Sequence, residues 1–363
     1  MPIRFVRESL TLLVLCIAIA LIAGPVSAEP ATEAPIASAP SSSASASPPL
    51  FSGLKTRMFR DLPFYDPLRA EHHAARNKLL IPAWSDEFPH SKKSGSRFAW
   101  QVHLGAEFPI VAFTTSEDDD RMAPGAWGFG LWTPVSFHMI EDFSDDSNPI
   151  VDTDYRFGAM VKFQYGLAEH LRLGIRYVPR AHESTHLGDE YVIIAQRPSL
   201  QPSFERINVS YEWQEYGVSL EGHNLFRQDD EWTVRHGGID PWGPDGYYSD
   251  HLLGSDDPVL TPSRKNHEPS FGLQYLFPPW GHRQVYLSWD LRNKLVYNYR
   301  QTPDNAERRQ WSWNLHLGRT LERNDQKALK DYFIEIYRGV NPYGQLRSQA
   351  DYWSIGFGWI FAM

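Results

Sequence analysis

A period-two alternation recurs along this chain and constrains it more than any other feature. Tyr155, Phe157, Ala159, Val161, Phe163 and Tyr165 share one face, and Arg156, Gly158, Met160, Lys162 and Gln164 share the other. Successive side chains of a strand point to opposite faces, so such a segment suits an extended backbone lying between two unlike surroundings. A turn at Gly166-Leu167-Ala168-Glu169 leads to Leu171, Leu173, Ile175 and Tyr177, set against Arg172, Gly174 and Arg176. Further on, Ile207, Val209, Tyr211 and Trp213 oppose Asn208, Ser210 and Glu212. Val285, Leu287, Trp289 and Leu291 oppose Tyr286, Ser288, Asp290 and Arg292. Trp311, Trp313, Leu315 and Leu317 oppose Ser312, Asn314 and His316.

Soluble β-sandwiches also alternate. Here the apolar faces carry aromatic rings at their ends, where a membrane interface places them. Aromatic residues are 14% of the chain while mean hydropathy is −0.44. That combination suits a barrel in which only alternate residues meet lipid. The chain closes on Ser354-Ile355-Gly356-Phe357-Gly358-Trp359-Ile360-Phe361. Ser354, Gly356, Trp359 and Phe361 fall at the spacing of the outer-membrane insertion signal, which resembles the last strand read by the barrel-assembly machinery. Ala362 and Met363 follow the usual terminal aromatic. The fold class is therefore all-β, a transmembrane antiparallel up-and-down β-barrel of about twelve strands. They are expected near 97–106, 109–116, 126–139, 153–165, 170–181, 206–213, 215–226, 270–277, 283–292, 310–318, 331–338 and 350–361. Residues 166–169, 214, 278–282 and 319–330 become inner turns, and 141–153, 182–205 and 228–269 outer loops.

The N-terminus carries an export pattern. Arg4 and Arg7 precede an apolar run from Leu10 to Ala23, and Val26-Ser27-Ala28 supplies small residues for cleavage after Ala28. Residues 1–28 are expected to be a signal peptide and 29–52 an Ala/Ser/Pro-rich spacer. Residues 53–96 should form a periplasmic segment leading into a barrel at 97–363. The single cysteine, Cys16, lies in the signal, so a mature chain beginning at Glu29 has no thiol to pair. A net charge of −9 argues against nucleic acid as partner. Expected partners are outer-membrane lipid and, during insertion, the barrel-assembly machinery; no cofactor is implied.

The stretch Arg180-Ala181-His182-Glu183-Ser184-Thr185-His186-Leu187-Gly188-Asp189-Glu190-Tyr191 resembles the hallmark of a bacterial family catalogued as domain of unknown function 1207. Asp61-Leu62-Pro63-Phe64-Tyr65-Asp66-Pro67-Leu68 and Arg206-Ile207-Asn208-Val209-Ser210-Tyr211-Glu212 support the likeness. It implies an exported outer-membrane barrel with no established activity.

The same stretch holds the candidate chemistry. His182-Glu183-Ser184 matches the His-x-Ser pair of outer-membrane phospholipase A, and Ser203-Phe204-Glu205-Arg206 partly resembles that family's second motif, with Glu205 where it has Asn. The resemblance implies His182 as base, Ser184 as nucleophile and Glu205 as orienting group. Parity opposes it. Even-numbered His182 and Ser184 should face the lumen and odd-numbered Glu205 the lipid, unless a bulge near Pro179 shifts the register. A weaker alternative makes His182, His186, Asp189 and Glu190 ligands of a divalent cation. The plainer reading pairs Asp189 and Glu190 with Arg172 or Arg176 inside a charged lumen that also holds Arg156, Lys162, Glu212 and Asp290. Asp118 to Asp120 lack the glycine and spacing of a calcium loop. Trp242, Tyr247 and Tyr248 could stack on a sugar or plug the lumen. The leading reading is a non-enzymatic barrel, a narrow pore or a structural and surface-binding protein; the alternative is an esterase of phospholipid or lipid A.

Overall fold

The computed structural model describes residues 54–59, 62, 64–72, 74–86, 97–116, 123–144, 150–188, 208–241, 249–250, 267–281, 283–295, 309–320, 330–342 and 350–361. The expected signal peptide and spacer, Asp118 to Asp120, Asp189, Glu190, Glu205, Trp242, Tyr247 and Tyr248 lie outside them. The strands are β1 (Lys55–Met58), β2 (Asn77–Ser85), β3 (Arg97–Thr114), β4 (Trp127–Asp142), β5 (Ile150–Ala168), β6 (Leu171–Leu187) and β7 (Asn208–His223). They continue with β8 (Glu231–Pro241), β9 (Ser249–Asp250), β10 (Glu268–Leu276), β11 (Gln284–Leu295), β12 (Arg309–Thr320), β13 (Lys330–Gly339) and β14 (Tyr352–Phe361).

Twelve of these pair antiparallel with their neighbours into a closed ring. β14 pairs with β2, β2 with β3 and β3 with β4, and the ring runs on to β14. Short β1 adds to β3, and β9 adds to β7. Closure leaves no sheet edge, the condition for a sheet to exist in hydrocarbon. No helix among the described residues is long and apolar enough to cross a membrane.

The count of twelve is as expected, but its composition differs. Strand β3 runs unbroken through 107–108, and β7 runs unbroken through Gln214, so two pairs of expected strands are single long ones. Two others replace them. β2 comes from the stretch expected in the periplasm, and β8 from the expected outer loop at 228–269. The β2–β3 register shifts between Leu80 and Ala83, so β2 does not alternate cleanly in sequence.

Polarity is inside out. Tyr155, Phe157, Val161, Leu287, Leu317, Ile334, Ile355, Phe357 and Trp359 are exposed on the outer wall. Arg156, Lys162, Gln164, Arg176, Arg235, Asp290, Arg292, Asn314, His316 and Glu335 are buried inside. Tyr155 and Tyr165 stand ten residues apart on β5. That is about 33 Å of strand at ~3.3 Å per residue, or about 25 Å along the membrane normal at a ~40° tilt. An apolar band of that height, closed by aromatics at both ends, defines a membrane-spanning β-barrel.

The inner connection between β7 and β8 is held by one carboxylate. Asp230 accepts the backbone N–H groups of Leu225 (2.7 Å), Phe226 (2.8 Å) and Arg227 (2.9 Å) and the Tyr275 hydroxyl (2.7 Å). Burial pushes its pKa up, but these four donors outweigh burial and hold it down at about 2. A depressed carboxylate stabilises the fold above its unfolded pKa of ~3.9 and loses that contribution as pH falls through about 2. Asp230→Ala is expected to lower stability by about 1–2 kcal/mol at pH 7, through lost hydrogen bonds. Urea titrations should show the difference from the unaltered chain shrinking toward pH 2; an equal difference at both pH values would contradict this role.

Candidate functional site

The lumen is filled by the chain itself. Of the stretch between β1 and β2, Leu62 and Phe64 pack inside the barrel in a buried cluster with Trp132, Met160, Val178, Ala181 and Trp213. Phe64 meets Trp132 edge-on at 5.5 Å. The wall is cut to fit. A Cβ on Gly272 would lie 2.1 Å from a Leu68 methyl, and one on Gly217 would lie 2.4 Å from the Tyr65 hydroxyl. Glycine at these two positions lets the segment approach the wall backbone closely.

Polar contacts fix its depth. Ala70 donates its N–H to Ser288 Oγ (3.0 Å) and accepts from Asn314 Nδ2 (2.8 Å). Arg69 Nε donates to Asp331 (2.6 Å). Glu71 is the centre of the arrangement. Its carboxylate takes Arg176 Nη2 at 3.2 Å, Arg235 through both terminal nitrogens, and Arg292 Nη2 at 3.5 Å. Glu215 on β7 pairs with Arg156 (3.1 Å), Arg176 and Arg235 (3.6 Å). Arg176 and Arg235 also lie over the Tyr65 ring, 5.5 and 5.0 Å from its centroid. Each charge is thus desolvated and matched, and removing one partner would leave the others buried without it.

The expected partners of the lumen arginines, Asp189 and Glu190, lie outside the described residues. Arg172 bonds to Glu221 (2.8 Å), and Arg176 to Glu71 and Glu215. Sequence reading missed Glu71, because nothing in the pattern of 53–96 separates a segment inside the barrel from one below it. It also missed a small lumen cavity lined by His72, His103, His138, Asp154, Arg156 and Glu183. There the His103 and His138 rings lie 4.1 Å apart and His138 Nδ1 sits 3.4 Å from Asp154. Among the described residues no group of three or more His, Cys, Asp or Glu is placed to hold a metal ion.

The second place of interest is the outer wall above Pro179. The β6 register shifts against β5 between Tyr177 and Arg180, and against β7 between Val178 and Ala181. One extra residue reverses the parity of everything beyond it. Arg176 and Val178 face the lumen below the bulge, and Ala181, Glu183 and Thr185 face it above. His182, Ser184 and His186 therefore lie on the outer wall, not in the lumen. Their partners confirm the direction. His182 stands opposite Phe157 and Ser184 opposite Tyr155, which are 55% and 48% exposed. The His182 ring lies 5.2 Å from Phe157, and the His186 ring 5.5 Å from Tyr155. Ser184 Oγ lies 3.4 Å from His186 Nε2.

Strand β7 carries a matching correction. Trp213 and Glu215 are buried in the lumen, so Glu212, expected inside, faces outward directly opposite His182. It accepts a bond from Arg180 Nη2. The patch stands level with the outer aromatics Tyr155 and Phe157.

By fold and site the chain is a membrane-spanning β-barrel with a self-filled lumen and a Ser/His patch on its outer wall. No family model and no curated protein matches it, so the likeness to domain of unknown function 1207 extends no further than the motifs quoted. Among solved structures it is similar to outer membrane phospholipase A from Escherichia coli (13% identity, TM-score 0.44), covering 84% of this chain and 94% of that one. The Salmonella typhi outer membrane phospholipase dimer with bound calcium gives 12% and 0.41, covering 84% and 94%. The CymD monoaromatic hydrocarbon channel gives 8% and 0.37, covering 80% and 89%. An enzyme and a channel stand side by side here, and likenesses at this level assign no activity.

Glu71→Ala is expected to cost about 3–5 kcal/mol, as for removing one partner of a buried ionic network. Glu71→Gln, which keeps hydrogen-bond acceptance, should cost less. Urea unfolding followed by tryptophan fluorescence measures both; an Ala variant as stable as the unaltered chain would show that the clasp does not hold the segment.

Proposed function

We propose that this chain is an outer-membrane barrel that does not conduct and works at its outer wall on lipid. The observation that carries the closed state is the seating of 64–72 in the lumen through Glu71. A filled lumen argues against the narrow pore and for a barrel used as a platform. Export through a signal cleaved after Ala28, and insertion by the barrel-assembly machinery through the 354–361 strand, belong to the same reading.

A specific observation favours the esterase among surface roles. The bulge at Pro179 turns Ser184 outward between two histidines, opposite the outward aromatic Tyr155. A serine hydroxyl beside an imidazole is the minimum for acyl transfer, and such contacts are often long until substrate binds. Ser184 is the nucleophile and a flanking histidine the base. Glu205, outside the described residues, has no place in this assignment.

One preparation tests both parts. Refolded chain in planar bilayers should show no unitary conductance, and deletion of residues 54–76 should produce it. The same protein added to phospholipid vesicles should release fatty acid, with release lost in Ser184→Ala. Steady channels from the intact chain would refute closure; release unaffected by Ser184→Ala would refute the esterase.

A further inference from the structure

We propose that the outer wall carries a saccharide-binding site across β7, β8 and β10 to β12, which takes the sugar head group of a glycolipid or the same sugar free in solution. The site is separate from Ser184 and does not depend on the esterase reading. Alternation places its members. Glu215, Glu268, Arg292 and Ser312 are buried in the lumen, and Ile239 packs against the lumen cluster. Their chain neighbours Tyr216, His267, Asn293, Trp311 and Asp240 therefore face outward, and Arg309 shares the parity of Trp311. Around them the same wall is apolar, with Val218, Leu273, Leu287 and Leu317 exposed. Ionisable groups turned outward on such a wall are costly and mark a function. Asp240, His267 and Arg309 lie at the ends of β8, β10 and β12 that are remote from the inner turns.

The groups are held in place by one another. His267 Nδ1 lies 2.7 Å from Asp240 Oδ1, and its Nε2 lies 3.2 Å from the Tyr216 hydroxyl. The Tyr216 and His267 rings are nearly parallel, 4° apart, with centroids 5.8 Å from each other. His267 comes this close to the wall because residue 238 is glycine, where a Cβ would sit 2.4 Å from the imidazole. Arg309 donates to the His267 carbonyl, to Asn293 Oδ1 and, at 3.0 Å, to the Asn293 carbonyl. Trp311 stands directly opposite Asn293 and is 51% exposed. The Asp240 side chain is 46% exposed and that of His267 26%, so both can be reached from outside. The array crosses five neighbouring strands. At ~4.8 Å per strand that is about 19 Å, room for more than one sugar ring.

The composition of the array selects the ligand class. Arg309 and Asp240 carry opposite unit charges, so neither a phosphate nor an amine meets a surface of one sign. A sugar ring presents adjacent hydroxyls, each both donor and acceptor. Carboxylate, amide and guanidinium groups are planar and meet such pairs two bonds at a time, the charged ones most strongly. An aromatic ring beside them covers the apolar C–H face of the sugar, the part Trp311 is placed to play. Because the internal hydrogen bonds fix these side chains before a ligand arrives, little rotamer freedom is left to lose on binding.

The test uses the full refolded chain in detergent micelles, with binding read by native mass spectrometry and the folding of each variant checked by its heat-dependent gel mobility. The probes are digalactosyl diacylglycerol, phosphatidylglycerol with matched acyl chains, and free digalactose. Digalactosyl diacylglycerol has two sugar rings and no phosphate, and it should bind at least about 10-fold more tightly than phosphatidylglycerol. Asp240→Ala and Trp311→Ala should each weaken it about 10-fold, the loss of one charge-assisted or one stacking contact, and leave phosphatidylglycerol unaffected. Asp240→Asn, which keeps the planar shape, should lose less. Free digalactose bound as strongly as the glycolipid would identify a soluble saccharide as the ligand, and binding of the glycolipid alone a membrane one. Phosphatidylglycerol bound as tightly as the glycolipid, no binding of either galactose probe, or glycolipid binding unchanged in both alanine variants would overturn the site.

Discussion

A backbone in hydrocarbon has no water for its N–H and C=O groups, so every strand must find two neighbours. Here that requirement is met where the chain's last strand meets its first wall strand. Phe361 stands opposite Asn77 and Ser354 opposite Ser85, and the ladder accommodates a register shift between Gly356 and Gly358. Were β2 left in the periplasm, β3 and β14 would each present an open edge to lipid. The closing strand is therefore half of a seam, and its other half comes from a stretch with little outward sign of being a strand.

Closing the ring creates a second constraint. Period-two alternation that turns apolar residues to lipid turns charged ones inward, and a lumen of arginines and carboxylates must be solvated or paired. This barrel pairs them, with Glu71 delivered from outside the wall to Arg176, Arg235 and Arg292. Packing agrees with charge, since Phe64, Tyr65 and Leu68 occupy space that the wall leaves open. A lumen filled in this way leaves the outer wall as the surface on which the proposed activity is placed.

Much of this was legible in the sequence where alternation is unbroken. On β5 the faces are those read from residues 155–165, and the lumen positions of Arg156, Lys162 and Gln164 follow at once. Legibility failed wherever the backbone departs from strict period two. Leu79-Leu80-Ile81-Pro82 conceals β2 behind a register shift, and Gly237-Gly238 weakens β8. Pro179 was recognised as a position where a bulge would matter, yet alternation cannot say whether the bulge exists. On that single residue depends whether His182 and Ser184 sit in a charged interior or against lipid. Glu212 was misassigned for a similar reason: Tyr211 and Trp213 look like a lipid face, but Trp213 packs in the lumen, with Arg156 3.8 Å from its ring centre. Aromatic residues inside the barrel mimic those outside it.

The outward direction of Ser184 is the claim on which the functional account turns. Single cysteines at Ser184 and at its neighbour Glu183, spin-labelled in a chain without Cys16 and reconstituted into bilayers, measure it directly. Power saturation should find the label at 184 accessible to lipid-soluble oxygen and the label at 183 shielded from it. The reverse pattern would place Ser184 in the lumen, remove the bulge's effect and leave the outer wall without an esterase site.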